Sequence, residues 1–122
     1  MNLGKISVPA LLLVLFQLAV ADVPPAQVAE VEHLISYLET SDCVMIRNGK
    51  VYSGSEGAKH VRRKYEYFRK KLSSTEQFIE LSASRSSMSG QEYTVECPGE
   101  PVMTSSDWLH SELARYRQTT EG

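Results

Sequence analysis

Cysteine, tryptophan and net charge are scarce in this chain: its 122 residues include two Cys and one Trp, with 13 Lys+Arg against 15 Asp+Glu. A net charge of -2 gives no overall positive field, so a protein built to coat nucleic acid is excluded. Two cysteines without a CxxC spacing do not make a zinc ribbon. No two of His33, His60 and His110 stand four apart, and Glu30 with His33 is a single weak pair, so neither a metal nor a cofactor is expected. There is no GxSxG elbow, because Gly54-Ser55-Glu56-Gly57 has the wrong spacing. The unbroken apolar run over residues 10–16 falls well short of the roughly 20 residues that cross a bilayer, so no stable membrane span is expected. A chain of this length has room for one core.

That short run carries information of its own. Lys5 precedes it, Ala19-Val20-Ala21 follows with small residues where a signal peptidase reads, and Asp22 and Pro24-Pro25 come next. The pattern predicts a cleaved signal peptide over residues 1–21, and the absence of a cysteine at the cleavage point excludes a bacterial lipoprotein. The mature chain keeps 12 basic and 15 acidic residues, a net of -3. In an exported protein Cys43 and Cys97 form an even pair with one possible connection, so a disulfide is expected. By the chain-entropy argument, closing a loop of that length stabilises the fold by about 4 kcal/mol.

Apolar periodicity outlines the elements. Val28, Val31, Ile35 and Leu38 mark a helix from Pro25 to about residue 40. Asn48-Gly49, flanked by Cys43-Val44-Met45-Ile46-Arg47 and Lys50-Val51-Tyr52, predicts a β-hairpin with a type I′ turn. Ser53 with Glu56 reads as a capping box, with Ser55 a competing cap, for a second helix to about Leu72, whose core face is Ala58, Val61, Tyr65, Phe68 and Leu72. Ser74 with Gln77 opens a third helix with Phe78 and Leu81 inward, joined by Ile79 and Ala83. Residues 86–90 read as a loop, residues 92–97 alternate as a half-buried strand, and Trp108, Leu109, Glu112, Leu113 and Tyr116 mark a last helix. The expectation is one α+β domain over residues 22–117, with a frayed tail over 118–122. About four helices lie on one face of a three-stranded antiparallel sheet, pinned at one end by the disulfide.

Taken together, the hairpin, Thr75-Glu76-Gln77-Phe78-Ile79-Glu80, Ala83-Ser84-Arg85-Ser86-Ser87-Met88-Ser89-Gly90, Tyr93-Thr94-Val95-Glu96-Cys97-Pro98-Gly99 and Trp108-Leu109 resemble the family catalogued as domain of unknown function 5329. The resemblance covers the mature chain. It implies an exported protein of Gram-negative bacteria with a cysteine pair, and it brings no assigned activity, cofactor or catalytic residue.

Past its first turn the second helix concentrates charge: Lys59, Arg62, Arg63, Lys64, Arg69, Lys70 and Lys71 stand against Glu66 alone. His60, Lys64, Tyr67 and Lys71, spaced four, three and four, form a polar stripe suited to an anionic group, with Tyr67 offering a flat surface to a sugar. The plainer reading is a solvated helix face with cations near the C-terminus. Arg85, Ser86, Ser87 and Ser89 form a second polar cluster that either holds an oxyanion or only satisfies a helix end. The leading expectation is a non-catalytic, periplasmic or secreted module that binds an anionic envelope component or a periplasmic protein through these two clusters. One alternative is a small hydrolase of an envelope polymer using His60 with Ser84, Ser86, Ser87 or Ser89. The other is an inhibitor or assembly factor presenting Arg47 at the hairpin tip.

Overall fold

A computed structural model of the chain describes residues 23–121, so the expected signal peptide lies outside the described residues. The order is α1 (Pro25–Glu39), β1 (Val44–Arg47), β2 (Lys50–Ser53), α2 (Gly54–Phe68) with a 3-10 turn at Arg69–Lys71, α3 (Thr75–Ser82), β3 (Thr94–Glu96), β4 (Met103–Thr104) and α4 (Ser105–Glu121). The architecture is α+β.

The sheet is antiparallel throughout, in the order β2-β1-β3-β4, and has four strands where three were expected. The additional strand is β4, whose two residues pair Met103 with Val95 and Thr104 with Thr94. A strand that short, squeezed between Pro101 and the first turn of α4, has no alternation for a period-two pattern to reveal.

Local chemistry sets the other boundaries. Asn48 and Gly49 take φ values of 49° and 79°, which the hairpin turn requires. The capping box forms as expected: Glu56 N–H donates to Ser53 Oγ at 3.1 Å, and Ser53 N–H donates to Glu56 Oε1 at 2.9 Å. At α3 the box is only half made. Gln77 N–H donates to Ser74 Oγ, but the Gln77 side chain accepts from Ser73 instead.

Met45 and Val95, paired across β1 and β3, are fully buried beneath the helices, whereas Val51 on the opposite face is 65% exposed. Helices therefore cover one face of the sheet. The core joins Val31, Leu34, Ile35 and Leu38 of α1 to Val61 and Tyr65 of α2, Phe78 and Ile79 of α3, and Leu109 and Leu113 of α4. Leu81, expected to face inward, is partly exposed, and Ser82 takes the buried position beside Phe78 and Ile79. Cys43 and Cys97 are disulfide-bonded next to the Val44–Glu96 pair, so the link fastens the end of the β1–β3 ladder.

Candidate functional site

The basic stripe of α2 faces residues 85–93, and a groove of about 480 Å³ opens between them. His60, Lys64, Tyr67 and Lys71 line it, together with Ser87 from the loop. Arg63 and Phe68 complete the lining. The stripe forms because residues three and four apart in a helix share a face, and it borders the buried row of Ala58, Val61 and Tyr65.

Beneath the groove lies Tyr93, which is buried. Its hydroxyl accepts a hydrogen bond from Lys64 Nζ at 3.3 Å and sits 3.1 Å from His60 Nε2. Lys64 also donates to the Arg85 carbonyl at 2.7 Å, which ties α2 to the loop. Burial is the main reason that the Lys64 ammonium is held below its ordinary value, and the positive charges of Arg47 and Arg85 add to it. His60 is pushed down to about 4, first by burial and then by the charges of Arg47, Lys64 and Arg63. At neutral pH it is an uncharged ring packed edge-on against Tyr93.

The charges above this floor are unbalanced. Elsewhere arginines meet carboxylates: Arg62 with Glu32, Arg69 with Glu66, Arg85 with Glu80, Arg115 with Glu112, and Arg117 with both Glu30 and Glu76. Among the described residues no carboxylate lines the groove. Arg63, Lys64 and Lys71 thus present positive charge to an open space walled by Phe68 and by Tyr67, whose ring is 79% exposed. Such a surface can hold an anion and stack a ring beside it.

The serine cluster is divided. Ser84 Oγ donates to the Ile79 carbonyl at 2.6 Å; Ser86 Oγ accepts from the backbone N–H groups of Met88 and Ser89. Ser89 Oγ donates to Asn48 Oδ1 and accepts from Gln91 N–H. These three hydroxyls shape the loop and anchor it to the hairpin. Ser87 alone of the cluster reaches the groove, and the Arg85 guanidinium turns away to Glu80 at 2.6 Å. The hydrogen bond of His60 goes to Tyr93 and to no serine or carboxylate, so the geometry lends a nucleophilic serine no support. Among the described residues no group of His, Cys, Asp or Glu is placed to hold a metal, and no helix is long and apolar enough to cross a membrane.

Arg47 is not the projecting tip residue that its place beside Asn48-Gly49 suggested. It is half-buried, with its guanidinium 4.5 Å from the centre of the Tyr52 ring. Tyr93, Arg63 and Phe68 belong to the site without having been singled out for it. The alternation of residues 92–97 does put Tyr93 on the inner face, but nothing local aims its hydroxyl at α2.

No curated protein and no solved structure matches the chain. The model of one family of unknown function matches residues 25–117, which take in all four helices up to Arg117, the whole sheet and every residue of the groove. The chain therefore belongs to that family, DUF5329.

Proposed function

We propose that this protein is a non-catalytic binding module, exported to an oxidising compartment, which holds an anionic group of an envelope component or of a periplasmic partner in the groove between α2 and residues 85–90. One observation carries the reading: Arg63, Lys64 and Lys71 line a cavity that no carboxylate among the described residues enters, in a protein whose other arginines are largely paired. A half-buried, neutral His60 and a Lys64 fixed to the Arg85 carbonyl give the groove a preformed floor, which lowers the ordering cost of binding. Export is supported by the leader-like pattern of residues 1–21 and by the Cys43–Cys97 bond, since such bonds persist outside the reducing cytosol.

The test is retention of the purified protein on isolated cell-envelope fractions at low salt. Lys64→Glu combined with Lys71→Glu should abolish it, and added salt should weaken it in the unaltered protein. Equal retention of the double variant would sink the reading.

A further inference from the structure

On the far side of Arg63 lies a second cavity of about 290 Å³, lined by Arg47, Tyr52, Glu56, Lys59 and Arg63. Arg63 lines both cavities, so the two adjoin at that side chain. Arg47 is the unusual member. Its Nε is buried and has no hydrogen-bond partner, and its guanidinium meets the rings of Tyr52 and Tyr93 where Arg62 or Arg117 meets carboxylates. Leaving a buried donor unmet costs roughly 1–3 kcal/mol, more for a charged group, so the fold sustains an arginine here at some expense. Lys59 likewise has no carboxylate partner among the described residues. Glu56, the one acid in the cavity, is committed to the cap of α2 through its bond from Ser53 N–H at 2.9 Å. That hydrogen bond also holds its carboxyl below the ordinary value.

We infer that this cavity is a second anion subsite, and that the ligand carries two anionic groups at opposite ends of a sugar-sized ring. One group is held by Lys64 and Lys71, the other by Arg47 and Lys59, with Arg63 between them. The inference rests on the anion-binding reading of the groove and specifies its ligand class. Lys59 precedes Lys64 by five residues, about 8 Å along the axis and about 140° around it, so a ligand that reaches both must pass over Arg63. A lone phosphate is too small to do so, whereas a hexose with substituents at both ends has the length. Tyr67 and Phe68, perpendicular to one another with ring centres 4.9 Å apart, provide the apolar wall for such a ring.

Calorimetric titration of the mature chain at low salt, with glucose 1-phosphate and with glucose 1,6-bisphosphate as probes, tests this. The bisphosphate should bind about tenfold more tightly, the gain expected from one extra charge-assisted contact. Lys59→Gln and Arg47→Gln should each remove most of that advantage and leave the monophosphate affinity unchanged. Because Arg47 packs on Tyr52, the exposed Lys59→Gln variant decides the matter if Arg47→Gln fails to fold. Equal affinity for the two sugars, or an advantage that survives Lys59→Gln, would overturn the second subsite while leaving the groove's anion binding intact. Failure of both sugars to bind would overturn the groove reading and this inference together.

Discussion

Arg117, near the end of α4, holds Glu30 of α1 through two hydrogen bonds of 2.8 and 2.9 Å, although 87 residues separate them. The same guanidinium reaches Glu76 of α3 at 2.7 Å, so one side chain joins three helices. The Glu30 carboxylate is largely buried, and it also accepts from Thr75 Oγ1 at 2.6 Å.

Replacing Arg117 with Gln should therefore lower stability by about 1–3 kcal/mol, because a largely buried carboxylate loses its charged partner. The acid side of the stability profile should change as well. The hydrogen bond from Arg117 is the main reason that the Glu30 carboxyl lies below its ordinary value of 4.5, against the opposing effect of burial. A carboxyl that holds its proton less tightly when folded contributes stability above the unfolded value, and that contribution is lost as pH falls through the lowered native value. Urea midpoints measured from pH 6 downwards should fall below about 4.5 for the unaltered protein. The fall should be shallower for Arg117→Gln; parallel curves would contradict the assignment.

His60 should behave as a neutral residue across the physiological range. NMR titration of its ring carbons should give a midpoint near 4 and not near 6.5. The sign of the linkage follows. The unfolded chain takes up the proton first, so stability contributed by the neutral ring is complete above pH 6.5 and is lost as pH falls towards 4. Arg47→Gln removes one of the charges opposing protonation and should move the midpoint upwards. A midpoint near 6.5 in the unaltered protein would show that the ring is not buried against Tyr93.

What the sequence made legible was whatever short-range chemistry decides. The Asn48-Gly49 turn and the Ser53–Glu56 cap each depend on residues within four positions of one another, and both took shape as read, while His60, Lys64, Tyr67 and Lys71 line one groove with Lys71 in the 3-10 turn past the end of α2. β4 escaped notice because Met103 and Thr104 are a strand only by virtue of pairing with β3. Tyr93 escaped for a related reason: its hydroxyl meets His60 and Lys64 across 33 and 29 positions, a contact between α2 and the residue just before β3 that only the tertiary fold creates. Arg47 was misjudged because adjacency to a turn says nothing of which ring its long side chain will cover. The serines at 84, 86 and 89 share a composition with Ser87 but have different hydrogen-bond duties, and composition alone does not sort them.

Two glycines fix how closely α2 can approach its neighbours. A methyl group added at Gly54 would collide with the Leu38 carbonyl oxygen, a backbone atom that cannot swing away. At Gly57 the nearest atoms would be Cβ and Sδ of Met45, both at 3.2 Å. Overpacking of the first kind costs about 1–3 kcal/mol. The second is offset in part by the gain of roughly 1 kcal/mol in helix propensity on going from Gly to Ala. Denaturant unfolding should rank Gly54→Ala well below Gly57→Ala in stability, and the reverse order would show that α2 does not enter against α1 as described.

Reduction of the Cys43–Cys97 bond should loosen the fold from the sheet outward. The bond sits beside the Val44–Glu96 pair, where the β1–β3 ladder ends. With 54 positions between the sulfurs, its loss restores about 4 kcal/mol of chain entropy to the unfolded state, a large share of the stability of a small domain. The double variant Cys43→Ser, Cys97→Ser avoids leaving a reactive thiol and should unfold at a markedly lower temperature. Hydrogen exchange should accelerate first at the amides of β1 and β3 next to the former bond. The groove is anchored separately, by the bond from Lys64 to the Arg85 carbonyl and by the bond from Ser89 to Asn48. Below its melting temperature the variant should therefore still bind an anion in the groove. Loss of anion binding while the variant remains folded would show that the disulfide shapes the site as well as the sheet.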